Sequence, residues 1–594
     1  MTLFEITLPG YPAAATTELY YRAVPDSVRI ENGALRLKAG STVTFDTYFN
    51  LFPYRAYRRY ASLERVGLCL RAEGCLRIRI RHCHGAQRCE EDAVLLEEEM
   101  KEGGSQTFPF SLSSLETKEP GFLYLEVEAV SSAVFSGGSF CALHIRRLPE
   151  FRLAAVICTY RREPYLTQNL AQISEYLSLP EHRWLREKLD IWVVDNGRTV
   201  RADQIPAGVT LLSSGRNLGG SGGFARGMWE IGHSARGYTH FCLMDDDIVL
   251  DPGILLRTAA FLELSGTRYP DLALGAAMIS LDRPWEQYEM GGGWDGYRCS
   301  SFGQGADLRR RETLLQNEQA ASPLFGAWWY LCMPCSFIRR FGLPFPFFVK
   351  GDDIDYGLRT AYPLLLMNGM GIWHEDFSGK DFGISEYYVK RNELILCALH
   401  TRRPSLLKNY QKLVFAAGKQ LLLRRYAVVR LLLRAYKDFL LGGEAFLELD
   451  QEQQRRELGA GMPELLGEKE LVQTFGISLG AFPVKDCSGK LDWRIRIKAI
   501  AAYLLPGSQK RPLRCIEVSS CSPEDFLYSG PVLQYSRKLR AGFLSPLRKR
   551  ELWTTAAALV DMLWQMLLHY QSACRSFRRI YSKAASEEYW RGKF

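Results

Sequence analysis

From residue 1 to 149, apolar and polar positions alternate in short runs. Examples are Val43-Thr44-Phe45-Asp46-Thr47-Tyr48-Phe49, Val66 to Leu70, Leu76 to Ile80 and Leu123 to Glu128. A period of two places one face of an extended strand on a core and the other in water. Turn-forming clusters separate the runs: Glu31-Asn32-Gly33, Gly103-Gly104-Ser105 and Gly137-Gly138-Ser139. The pattern predicts a β-sandwich over 1–149, serving either glycan binding or assembly.

Near Phe151 the rhythm changes. Leu153-Ala154-Ala155-Val156-Ile157-Cys158-Thr159 is continuously apolar and is followed by a helical stretch from Pro164 to Leu177. Further apolar runs follow at Leu189 to Val194, Val209 to Leu212 and Thr239 to Met244. Strands buried on both faces and alternating with helices predict a doubly wound, Rossmann-like α/β domain over 150–395. Such sheets bind ligands at the carboxyl ends of their strands. All four runs end in polar or glycine residues: Thr159 to Arg162, Asp195 to Gly197, Gly215 to Gly223 and Asp245 to Asp247.

Residues 396–594 carry a helical period. Between 405 and 441, Lys408, Lys412, Lys419, Arg424, Arg425, Arg430, Arg434 and Lys437 sit among leucines, valines and tyrosines. Two readings fit equally: a basic amphipathic surface for a membrane interface, or core helices with a charged solvent face. Residues 545–590 have the same character.

At 594 residues the chain exceeds what one core supports, so it is multidomain. Its 47% hydrophobic content excludes disorder. The net charge of +9 raises nucleic acid as a partner. The basic residues, however, lie on helical patterns without an aromatic platform or a nucleic-acid module, and an anionic membrane face fits them better. The 15 cysteines follow no disulfide spacing. Cys75, His82, Cys83, His84 and Cys89 match no zinc module and read as a β-hairpin. With no signal peptide and no spanning-length apolar run, a cytoplasmic protein is expected.

The chemistry centres on Asp245-Asp246-Asp247 at a strand end. Crowded carboxylates raise one another's pKa unless a cation is present. Strand alternation puts Asp245 and Asp247 on one face, an Asp-x-Asp clamp for Mg²⁺ or Mn²⁺. Ser214 to Gly227 is glycine-rich at a strand-to-helix turn, where backbone N–H groups attract anions, but it matches neither a P-loop nor a dinucleotide fingerprint. Gly351-Asp352-Asp353 supplies a second carboxylate pair at a predicted helix start, and Trp373-His374 ends an apolar segment with an imidazole that can complete the metal site.

In this order, the Asp245 triplet, Gly351-Asp352-Asp353 and Trp373-His374 resemble family-2 inverting glycosyltransferases with a GT-A nucleotide-sugar domain. Cys158-Thr159-Tyr160-Arg161-Arg162, Arg216 to Gly223, Trp328-Trp329-Tyr330 and Thr47-Tyr48-Phe49-Asn50 are similar to the polymerising galactofuranosyltransferases of the mycobacterial galactan type. Arg161 departs from the asparagine of that family's pattern.

The resemblance implies roles. Asp245, Asp247 and His374 would hold Mn²⁺ or Mg²⁺ on the donor diphosphate. Arg162, Asp195, Asn217 and Asp246 would contact the nucleotide. Asp353 would be the catalytic base, with Asp352 beside it, and Trp328 and Trp329 would stack on sugar rings. The expected partners are a UDP-sugar donor, a glycan or lipid-linked glycan acceptor, a second copy of the chain, and the inner face of the cell membrane. Galactofuranose is the expected sugar. dTDP-rhamnose and UDP-galactopyranose are alternative donors, and a non-catalytic glycan-binding scaffold is the alternative from another class.

Overall fold

The structure is a computed structural model. It describes residues 1–594 except 11–15, 86–91, 102, 116–118, 144–149, 320–322, 378–382, 478–481, 483–492, 495–496, 498–511, 519–520 and 527–528. Cys89 therefore lies outside the described residues, as does the expected boundary at 149.

The N-terminal region folds as two antiparallel sheets, of six and five strands. The strand pattern of the sequence is realised in Arg65–Glu73, Leu76–His84 and Gly121–Ala129. In Leu76–His84 the leucine and isoleucines at alternate positions are buried and the intervening arginines face outward. Those arginines pair with Glu97, Glu126 and Glu128 of the neighbouring strands. The extended run foreseen from Val43 to Phe49 is shorter. It is a strand only over Thr42–Thr44, because Phe45, Tyr48 and Phe49 all turn into the core. A helix, Tyr54–Ala61, is an addition to the expected all-β pattern.

The central sheet follows the α/β rhythm. Val209–Ser213, Leu189–Asp195, Leu153–Thr159 and His240–Asp245 lie side by side and parallel. Tyr330–Pro334 then runs antiparallel, followed by Ala273–Ser280, which pairs in parallel with Leu364–His374. Sequential strands spreading to one side of Leu153–Thr159, with the chain then crossing to the other, place the crevice at the carboxyl ends of Leu153–Thr159 and His240–Asp245.

The N-terminal sheets and the central domain share one hydrophobic core. The Tyr48 hydroxyl donates to the Met370 carbonyl at 3.0 Å, and the Phe49 ring lies 5.1 Å from that of Trp373. Trp373 is fully buried, which is worth about 1.5–3 kcal/mol for a large apolar side chain. Tyr48 and Phe49 therefore brace the strand that ends in His374.

The C-terminal third is largely helical: Ile384–His400, Leu406–Leu422, Tyr426–Leu440 and the 36-residue Lys549–Ala584 pack together. It also carries a four-stranded sheet that the helical expectation missed, formed by Leu466–Gly467, Ala541–Ser545, Val532–Ser536 and Arg514–Glu517. Its strands are only two to five residues long and show no sustained alternation.

Of the two readings of residues 405–441, the core-helix reading describes Tyr426–Leu440, where most apolar residues are buried. Arg424 is buried and donates to the carbonyls of Gly530, Phe526 and Ser529. Lys412 pairs with Glu393, and Arg434 with Asp438. Exposed apolar side chains gather elsewhere: Leu407 and Phe415 on one helix, and Trp553, Val560, Trp564, Leu567 and Leu568 on the long one. No helix among the described residues is long and apolar enough to cross a membrane.

Candidate active site

His240–Asp245 ends in a turn holding Asp246 and Asp247. The predicted pairing of Asp245 with Asp247 is realised through the turn rather than through strand alternation. Asp245 and Asp247, with His374, place ligand atoms within 4.8 Å of one another. Asp246 turns away, accepting the Thr159 hydroxyl at 2.7 Å and an Arg162 N–H at 3.3 Å.

His374 Nε2 lies 3.1 Å from Asp247 Oδ1, while its Nδ1 lies 2.7 Å from the Glu375 carbonyl. A carbonyl only accepts, so Nδ1 donates to Glu375 and Nε2 is the nitrogen turned toward Asp247 and the position a cation would take. Two carboxylate faces and one neutral imidazole suit Mn²⁺ or Mg²⁺. Burial, and next the Asp247 carboxylate, push the Asp245 carboxyl up to about 6. That strain is what a bound cation relieves.

Asp352 and Asp353 open the helix Asp352–Thr360, as the sequence predicts. Gly351 before them has φ +96°, a conformation that favours glycine. Asp352 accepts the Ser221 hydroxyl at 2.8 Å, which ties it to the glycine-rich segment. Asp353 accepts its neighbour's backbone N–H, Ile354 N, at 2.8 Å. Burial, then Asp352, push the Asp353 carboxyl up to about 8, while Lys350 lowers it. The sequence-based view of Asp353 as ionised beside a bound metal therefore depends on that cation.

Asp245, Asp352, Asp353, Trp328 and Trp329 line one cavity of about 420 Å³, a size suited to a small ligand. The indoles form its packed wall rather than the open stacking platform expected. Trp328 is 4% and Trp329 6% exposed. Trp328 is wedged edge-on between Phe224 and Tyr356, and Trp329 donates to the Ala276 carbonyl at 3.1 Å.

The expected nucleotide residues separate. Arg162 joins the centre by pairing with Asp246 and Asp247. Asp195 is fully buried and accepts the backbone N–H groups of Gly197, Thr199 and Val200 at 2.7 to 2.9 Å, so it shapes the loop at its strand end. Asn217 likewise caps its own turn, accepting Gly219 N at 2.9 Å. Neither lines the cavity.

The glycine-rich segment serves packing more than ligand approach. A Cβ at Gly219 would stand 2.0 Å from the Phe348 carbonyl oxygen, at Gly223 2.1 Å from Cys158 Sγ, and at Gly227 2.4 Å from Val156. Gly220 alone of these four has open space around it, and it lines the cavity.

Sequence reasoning missed Glu289, Lys350 and Phe377, which complete the cavity wall. Lys350 Nζ sits 3.7 Å from the centre of the Phe377 ring, which lies 5.1 Å from the His374 ring. Lys350 directly precedes Gly351 in the chain, and that adjacency was the available signal. Glu289 and Phe377 reach the cavity only through tertiary folding.

Residues 17–143 match the family model described as galactofuranosyltransferase 2 N-terminal. The chain is 27% identical over 460 residues to galactofuranosyltransferase GlfT2 of Mycobacterium tuberculosis, covering 69% of this chain and 67% of that protein. It is 26% identical over 443 residues to GlfT2 of Mycolicibacterium smegmatis, covering 69% and 66%. The chain thus spans about two thirds of the length of these relatives. Among solved structures, a mannosyltransferase of Pyrobaculum calidifontis in complex with GDP-Man and Mn²⁺ aligns over 52% of this chain and 85% of that one. That alignment has 13% identity and a TM-score of 0.29. The resemblance drawn from the strand-end motifs holds: over about two thirds of its length this chain is similar to the mycobacterial galactofuranosyltransferases.

Proposed function

We propose that the protein is a metal-dependent, inverting glycosyltransferase of the GT-A type that transfers galactofuranose from UDP-galactofuranose to a glycan acceptor. The observation that carries this reading is that Asp245, which groups with Asp247 and His374 as a metal-ligand set, lines the same cavity as Asp353. A divalent cation held there supplies charge neutralisation for a departing diphosphate.

The chain's own residues account for the rest. Arg162 anchors the turn that carries Asp246 and Asp247. Asp353, ionised, takes the proton of the acceptor hydroxyl as that oxygen attacks the anomeric carbon from the side opposite the diphosphate. Asp352, held by Ser221, orients the sugar hydroxyls between them. A single displacement inverts the centre and needs no enzyme nucleophile. The buried indole N–H of Trp328, unpartnered among the described residues, lies on a side chain of the cavity wall and offers a donor for a sugar oxygen.

The motifs bind a diphosphate and do not read the ring form, so dTDP-rhamnose and UDP-galactopyranose remain the donors to compare. Purified protein with Mn²⁺ should release UDP from UDP-galactofuranose and not from UDP-galactopyranose. Equal release from UDP-galactopyranose overturns the donor assignment, and no release from any donor, with acceptor glycan present, restores the scaffold alternative.

Peripheral membrane contact belongs to the same proposal. The support for it moves from Lys408–Lys437 to the exposed Trp553, Val560, Trp564 and Leu567, one face of the long helix, with Lys549 and Arg550 at its start.

A further inference from the structure

A second cavity, of about 380 Å³, opens where the helix Tyr54–Ala61 meets the start of the strand Leu364–His374. Four guanidinium groups stand in its wall, those of Arg55, Arg58, Arg59 and Arg268. Arg58 donates to the Leu115 carbonyl and Arg268 to the Ser62 hydroxyl, both neutral acceptors. Glu318 is the one carboxylate among the described lining residues. Burial pushes its carboxyl up to about 7 against the pull of Arg55, so one carboxyl faces four guanidinium groups and leaves the wall net positive.

Like charges gathered around a concave wall focus a positive field, and an anion is the group that relieves it. The planar guanidinium fork matches the oxygens of a phosphate in a two-point contact. Aromatic surface lies beside this charge. Arg59 sits 5.2 Å from the Tyr60 ring and Arg268 5.6 Å from the Tyr269 ring, and the two tyrosine rings meet at 4.9 Å. Aromatic faces present apolar area to the C–H surface of a sugar ring. The cavity also backs onto the candidate active site: Glu289 lines one and Met290, the next residue, lines the other.

We propose that this cleft is a binding site for a phosphorylated saccharide, separate from the metal-centred site. Binding here requires neither Asp247 nor Asp353, so it stands or falls independently of the transferase reading.

Calorimetric titration of the full chain with glucose 6-phosphate, in EDTA to silence the metal centre, tests the assignment. Glucose and inorganic phosphate serve as comparators. The expected result is saturable binding of glucose 6-phosphate, weaker binding of phosphate, and none of glucose. Arg59→Glu with Arg268→Glu should weaken it at least about tenfold, since both side chains are exposed and the fold should persist. Circular dichroism and UDP binding with Mn²⁺ should be unchanged in that variant. Asp247→Ala should bind glucose 6-phosphate as the wild type does. The proposal is overturned by no binding in the wild type, by equal binding in the double variant, or by loss of binding in Asp247→Ala. Phosphate binding as tightly as glucose 6-phosphate would overturn the saccharide part.

Discussion

His374 and Asp247 stand 127 residues apart in the chain and 3.1 Å apart in space, Nε2 to Oδ1. The contact closes a three-ligand set between the end of one strand and the end of another. It exists because Phe49 and Tyr48 of the N-terminal region hold the strand carrying Trp373 and His374. Asp247→Ala and His374→Ala should each abolish high-affinity Mn²⁺ binding, read by electron paramagnetic resonance. Donor turnover should fall by more than about a hundredfold while circular dichroism is preserved. Mn²⁺ binding retained in both variants would dissolve the metal site.

Asp353 gives a pH prediction. Its raised carboxyl pKa, about 8, means that the base form accumulates only as pH rises. With the cation bound, which favours the ionised form, kcat/KM should climb with pH to a plateau reached below about 8. The sign for stability is opposite. A carboxyl whose folded pKa lies above its unfolded value keeps its full contribution below the unfolded pKa and loses it as pH rises through the folded one. Asp353→Asn should therefore flatten the decline in stability between about pH 4 and pH 8 while removing transfer. A pH profile of kcat/KM unchanged in Asp353→Asn would rule the residue out as base.

Ser221 and Asp352 offer a subtler test. The hydroxyl, on the glycine-rich helix, is fully buried and bonds only one partner of interest, at 2.8 Å. Ser221→Ala should reduce kcat by about tenfold and lower the melting temperature by only a few degrees, since a hydrogen bond to a charged group is worth about 1.5–3 kcal/mol. Wild-type kcat would mean that Asp352 needs no orienting partner.

The glycines separate by what surrounds them. Gly219, at φ +69° and against the Phe348 carbonyl, should not tolerate Ala, and the melting temperature should drop by about 5 °C or more. Gly220→Ala should melt as the wild type does and lose affinity for donor, because only that position opens on the cavity. The reverse order of melting temperatures would contradict the packing account.

Much of this was legible in the chain. Leu153–Thr159 and the Asp352 helix start fall at the residues the sequence marked, because continuous apolar runs and acidic first turns are local signals. Asp245 and Asp247 come together as the sequence marked them, although a turn after the strand end, not strand alternation, brings Asp247 there. What sequence did not carry was tertiary. Asp195, expected at the nucleotide, holds its own loop through three backbone N–H groups. Trp328 and Trp329 looked like a platform and are buried wall. The basic residues at 405–441 looked like one amphipathic face, but Arg424 folds inward onto carbonyls more than a hundred residues away. Period and composition do not encode which neighbour such a side chain meets.

The exposed stripe of the long helix gives the membrane test. Trp553→Ala with Trp564→Ala should reduce co-sedimentation with anionic vesicles severalfold at low salt, and leave soluble-acceptor turnover intact. Undiminished co-sedimentation would move the contact elsewhere.

The most direct measurement is UDP release from UDP-galactofuranose by the full chain with acceptor glycan present, followed with Mn²⁺, with excess chelator, and in Asp353→Asn. The account predicts release with Mn²⁺ and near-complete loss in the other two. Release that persists under chelation, or in Asp353→Asn, would contradict a metal-centred displacement with Asp353 as its base.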